Sequence, residues 1–184
     1  MEEKIREMIT NLAEKDDDIR YEAFQRLMSI TEEPVPWIYE AWDELAAKFN
    51  SGNSYQRTIA MNLFCSLSRS DSQKRIVEVL PQLLALTEDE KFITRRQTMQ
   101  ALWKVAWYEP ELLGPVVDKY VERFSTCVNE EHPNLLQRDI VQALLTLAEL
   151  RNDPDLSSKV NQLIESESDP KARKALVALK KKTK

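Results

Sequence analysis

The residues best suited to chemistry stand in "RRQTMQALWKVAW", residues 95–107, where Arg95 and Arg96 head a helical pattern and Trp103 and Trp107 follow one turn apart. Guanidinium groups beside aromatic rings can grip a phosphate backbone and stack a base. The same letters suit one rung of a packed helical array, with the tryptophans burying apolar area. His132 in "NEEHPN" is the only histidine. It cannot complete a closed metal site without a second histidine or a CxxC, and Pro133 makes it a helix-entry residue. Cys65 and Cys127 fit no CxxC or secreted disulfide spacing, so both are read as reduced, buried and unreactive. Asp139, next to Arg138, is a candidate carboxylate for an acid–base role, against the plainer reading of a solvated or helix-capping aspartate.

The elements that must position these residues follow from composition. The chain has 184 residues, 42% of them hydrophobic and only two of them glycine. That composition disfavours a Gly-rich β architecture and predicts an all-α fold. It gives the expectation of one domain spanning 1–184, with a basic, frayed end at 180–184. No apolar run approaches the roughly 20 residues needed to span a bilayer. The N-terminal stretch is charged and amphipathic rather than signal-like. A cytoplasmic, monomeric protein without cofactor or metal is the expectation.

A repeat organises the chain. The stretches "DDDIRYEAFQRL", "SGNSYQRTIAMNLF", "DEKFITRRQTMQALW", "NLLQRDIVQALLTL" and "SDPKARKALVAL" each pass from a polar turn through an arginine into small and apolar residues. The marker arginines Arg20, Arg57, Arg95, Arg138 and Arg173 are 37, 38, 43 and 35 residues apart. Between them lie other helical patterns, over 5–13, 37–49, 76–86, 112–128 and 156–164, with apolar residues at spacings of three and four. Prolines stand at or before several of these starts. Pro81 falls inside one, which predicts a kink or a short lead-in segment before a helix starting near Pro81.

These five stretches resemble the HEAT-like repeats, whose second helix opens with Asp-Pro, then an apolar residue, an arginine and small residues before a leucine. "SDPKARKALVAL" matches that pattern best, and the third and fourth copies lack the Asp-Pro. The resemblance implies a right-handed α-α superhelix of about five helix pairs. It also implies a structural ladder, in which Arg20, Arg57, Arg95, Arg138 and Arg173 meet acidic residues of neighbouring repeats and loop carbonyls. HEAT-like hydroxylases need His-Glu pairs in several repeats, which a single histidine cannot supply. HEAT-like DNA glycosylases and bilin lyases, which need only an aromatic cleft and a carboxylate, remain as alternatives.

Charge narrows the choice of partner. The net charge is −5. The positive charge is concentrated on the second helices, and the negative charge falls on the first helices and the connections. By the resemblance, second helices line the concave surface, which would then be the more positive one. The marker arginines and the C-terminal lysines account for most of that excess, which argues against a general nucleic-acid binder. The acidic connections "EKDDD", "TEDE" and "NEE" are suited to complement helix N-termini. No phosphate loop, GxSxG or HExxH occurs.

The reading is therefore a non-catalytic scaffold that binds another protein, with an acidic segment as the natural ligand. Its candidate partner-binding residues are Arg69, Arg96, Lys104 and Arg151. Trp103 is expected to be buried and Lys104 exposed, because the two lie about 100° apart on one helix. The alternatives are a nucleic-acid-binding or base-repair module and a bilin-lyase-like or chaperone-like binder of a ligand-bearing protein.

Overall fold

The computed structural model describes residues 1–180, and within them the chain is helical throughout, in five consecutive antiparallel pairs. The first pair is α1 (Glu3–Asn11) and α2 (Asp17–Ile30), the second α3 (Ile38–Ala47) and α4 (Ser54–Leu67). In the third, α5 (Ile76–Ala85) is followed by a helix in two pieces, α6 (Phe92–Ala101) and α7 (Trp103–Tyr108). The fourth is α8 (Leu113–Thr126) and α9 (Pro133–Arg151), the fifth α10 (Pro154–Ser166) and α11 (Pro170–Leu179). Lys181, Lys182 and Lys184 of the basic end lie outside the described residues.

The polar turns seen in the sequence act as helix caps. Asp16 accepts from the N–H groups of Asp18 and Ile19, Asn53 from Tyr55, and Asp169 from Lys171 and Ala172, so α2, α4 and α11 each start on a satisfied turn. His132 enters α9 in the left-handed conformation, φ 50°, ahead of Pro133 at the first helical position. Its ring packs 5.3 Å from that of Phe92, the contact of a helix-entry residue.

The pairs stack into a solenoid of two layers. The second helices α2, α4, α6, α9 and α11 pack in succession. Outside them the first helices are tied along the array by ion pairs such as Arg6–Glu44 and Arg75–Asp43. Between the layers a continuous apolar core runs from Ile5 to Leu179. Trp42 meets Phe64 edge-on at 4.8 Å, and Phe49 stacks on Phe64 at 5.4 Å.

Two local features narrow or change the sequence reading. Helix α5 runs through Pro81 from Ile76, so no separate lead-in segment exists. The carbonyl that loses its donor belongs to Val77, which is exposed and therefore open to water. The second feature is the break between α6 and α7. There the hydroxyl of Tyr120, fully buried on α8, donates to the carbonyl of Met99 at 2.8 Å and lies against the N–H of Trp103. Those two groups would otherwise bond each other as an i to i+4 pair, so the side chain is inserted into the helix ladder and interrupts it.

Candidate functional site

The structure separates the marker arginines into four that tie the loops and one that does not. Each of Arg20, Arg57, Arg95 and Arg173 stands four residues after its helix cap and donates to the backbone carbonyl six residues before it. The acceptors are Glu14, Ser51, Asp89 and Glu167, at 2.7–2.8 Å. The same acceptor residues turn their side chains onto the next cap: Ser51, Asp89 and Glu167 accept from the N–H of Asn53, Lys91 and Asp169. Each arginine thus closes the loop of its own repeat.

Two of them also reach the loop of the following repeat. Arg57 grips Asp89 with two nitrogens, at 2.7 and 3.0 Å. Arg95 approaches Glu130 at 3.2 Å as an ion pair without hydrogen-bond alignment. For Arg20 the loop position of the following repeat that corresponds to Asp89 is Ser51, which carries no charge. Arg20 instead pairs with Asp17 and lies 4.6 Å above the Tyr55 ring.

Arg138 is a correction. Four residues after the cap at His132 comes Leu136, which is buried, and Arg138 falls two positions later, on the surface. No hydrogen bond or ion pair holds it among the described residues. The loop of this repeat is tied by Arg123 instead, which is buried on α8 and bonded to Thr126 and Glu130. Arg123 was legible as an arginine on the apolar stripe of Val116, Tyr120 and Phe124, a place where a cation must find a partner.

Freed from the ladder, Arg138 faces a hollow of about 380 Å³ between α6 and α9, with Arg96, Gln100, Trp103 and Gln142 around it. Asp139 lies at its edge, buried and fully engaged. Arg96 binds it with two nitrogens at 2.6 and 3.1 Å, and Gln100 adds a third donor at 3.0 Å. Hydrogen bonding to Asp139 raises the pKa of the Arg96 guanidinium above its usual value. Both oxygens of Asp139 accept hydrogen bonds from α6, so the carboxylate holds Arg96 and Gln100 in place at the edge of the hollow. On the other side of α6 an amide pair joins neighbouring second helices, for Asn62 donates to Gln97 at 3.0 Å. The second-helix face is thus amide-rich, with Arg138 as its unneutralised charge at the hollow.

The other predicted residues do not gather there. Arg69 lies 3.9 Å from Glu33 and 5.6 Å above the Tyr108 ring. Arg151 ends α9 with its Nε buried and unpartnered among the described residues. Trp103 and Lys104 overturn the expectation of one buried and one exposed residue, since both are half-buried. The rule of 100° per residue assumes an unbroken helix, and the break at Leu102 lets Trp103 line the hollow. Lys104 sits close enough to Cys65 for its charge to act on the thiol. Burial nonetheless pushes Cys65 up to about 12 and Cys127 up to about 11, so neither is a ready thiolate at neutral pH. Among the described residues no group of three or more His, Cys, Asp or Glu side chains is arranged to hold a metal, and no helix is long and apolar enough to cross a membrane.

No family model matches the chain. Over 146 residues it is 25% identical to the mouse (Mus musculus) and human (Homo sapiens) proteins described as stalled ribosome sensor GCN1, covering 78% of this chain and 5% of theirs. The chain therefore spans only a small fraction of the length of these curated relatives. A crystal structure of an engineered protein superposes with a TM-score of 0.59 over 97% of this chain and 78% of that one, at 17% identity. That likeness concerns the fold alone.

Proposed function

We propose that this chain is a HEAT-like repeat domain that works as a non-catalytic protein-binding scaffold, receiving an acidic segment of its partner on the second-helix face. The observation that carries the reading is Arg138. It stands outside the arginine ladder, exposed and without an ion-pair partner among the described residues, in a hollow whose other cation, Arg96, is already matched by Asp139. A lone unpaired guanidinium beside a half-buried tryptophan and several amides suits a carboxylate on a peptide, which it can bind through two parallel hydrogen bonds. A phosphate backbone would call for a row of free cations, and the other ladder arginines are committed to loop carbonyls. The likeness to one stretch of a much longer sensor protein supports a binding role rather than a catalytic one.

The test compares Arg138→Glu with the unchanged chain by fluorescence anisotropy, using a labelled Asp/Glu-rich peptide and, separately, a single-stranded oligonucleotide of equal charge. The expected result is peptide binding weakened about tenfold or more by the substitution, with an unaltered thermal midpoint, because Arg138 makes no fold contact. Peptide affinity indifferent to Arg138→Glu would sink the reading. Tighter, Arg138-dependent binding of the oligonucleotide would replace it with the nucleic-acid alternative.

A further inference from the structure

The hollow has a neighbour across one helix. On the other flank of α6 lies a smaller depression of about 210 Å³, walled by Tyr21, Phe24, Tyr55 and Ile93, with Lys91 and Gln97 at its rim. Tyr21 is 52% and Ile93 59% exposed, two of the most exposed large apolar side chains in the described chain. Lys91 presents an exposed ammonium with no ion-pair partner among the described residues. The charge available at the notch therefore has the same sign as that at the hollow.

Helix α6 is the shared wall. Arg96 and Gln97 are adjacent in sequence, yet Arg96 lines the hollow and Gln97 the notch. Neighbouring packed helices lie about 8–10 Å apart, and an extended chain advances roughly 3.4 Å per residue. A ligand that fills both sites thus needs about three residues between the group in one and the group in the other.

We propose that the second-helix face binds an extended acidic peptide segment bearing a bulky apolar residue, whose side chain fills the notch beside Ile93 while a carboxylate about three residues away reaches Arg138. This rests on the reading of the hollow as an acidic-segment site and adds the apolar anchor and its spacing. Occupying the notch removes Tyr21 and Ile93 from water, a gain that polar contact at the hollow cannot give. Lys91 and Arg138 flank the path and favour negative charge along it.

Three synthetic peptides test the idea on the full chain by anisotropy. One has Leu followed, at a spacing of three, by an Asp-Glu pair. A second has Ser in place of Leu, and a third has Leu directly beside the pair. The first should bind about tenfold tighter than the other two, as expected for burying one aliphatic side chain. Ile93→Ser and, separately, Tyr21→Ser should erase that gain while leaving the Ser peptide unaffected, with circular dichroism showing the fold retained. If the Ser peptide responds to Arg138→Glu but Leu adds nothing, the anchor is wrong and the scaffold reading stands. If the Leu gain survives both notch substitutions, the anchor lies elsewhere and the proposal is overturned. If no peptide responds to Arg138→Glu, both readings fall.

Discussion

The hydroxyl of Tyr120 takes the carbonyl of Met99, 2.8 Å away, from the N–H of Trp103, so a side chain on the fourth helix pair breaks a helix of the third. Without that oxygen the Met99 carbonyl and the Trp103 N–H would face each other across a buried gap. Tyr120→Phe should cost about 1–2 kcal/mol, the usual penalty for leaving buried polar groups without their partner. Urea unfolding of the two proteins measures it. A midpoint equal to that of the parent would mean that the helix heals by closing its own hydrogen bond.

The contact between Arg57 and Asp89 gives a stability that depends on pH. Burial alone would raise the Asp89 carboxyl. Hydrogen bonds from Arg57 and the Lys91 N–H, with the charges of Arg57 and Arg95, outweigh it and hold the group below the usual carboxylate range. The unfolded group titrates near pH 4. Its contribution is therefore complete above about pH 4 and lost as the pH falls through the lower, folded value. Asp89→Asn should destabilise the protein by about 2–3 kcal/mol at pH 7. The difference between the two proteins should shrink toward pH 3. Urea midpoints at both pH values decide it, and a gap that stays constant would show that the charge on Asp89 is irrelevant.

Much of the fold could be read from periodicity, because a solenoid repeats one local solution. The cap, the arginine four residues later and the apolar stripe are all short-range features, and they place Arg20, Arg57, Arg95 and Arg173 alike. Arg138 misled for a local reason. The fourth turn enters its helix through a left-handed His132 and a proline, which shifts the cap relative to the arginine, and similarity of letters does not show that shift. The faces of Trp103 and Lys104 were hidden for a long-range reason, since the break that sets them is made by Tyr120, far along the chain. The hollow is lined by both Arg138 and Trp103, so its make-up was hidden for the same two reasons.

Where the arginine should stand in the fourth repeat there is Leu136, so among the described residues no arginine reaches across to Glu167 as Arg57 reaches to Asp89. Among the described residues no ion pair joins the fourth helix pair to the fifth, and apolar contact through residues such as Leu156, Val160 and Leu176 holds them together. In a linear array each unit is stabilised only by its immediate neighbours, so a weaker junction becomes the point from which the stack unzips. The fifth pair should open on its own before the rest. Hydrogen exchange followed by mass spectrometry should find α10 and α11 losing protection earlier than α4 and α9. Uniform exchange along all five pairs would mean that the chain melts as one cooperative body despite its uneven seams.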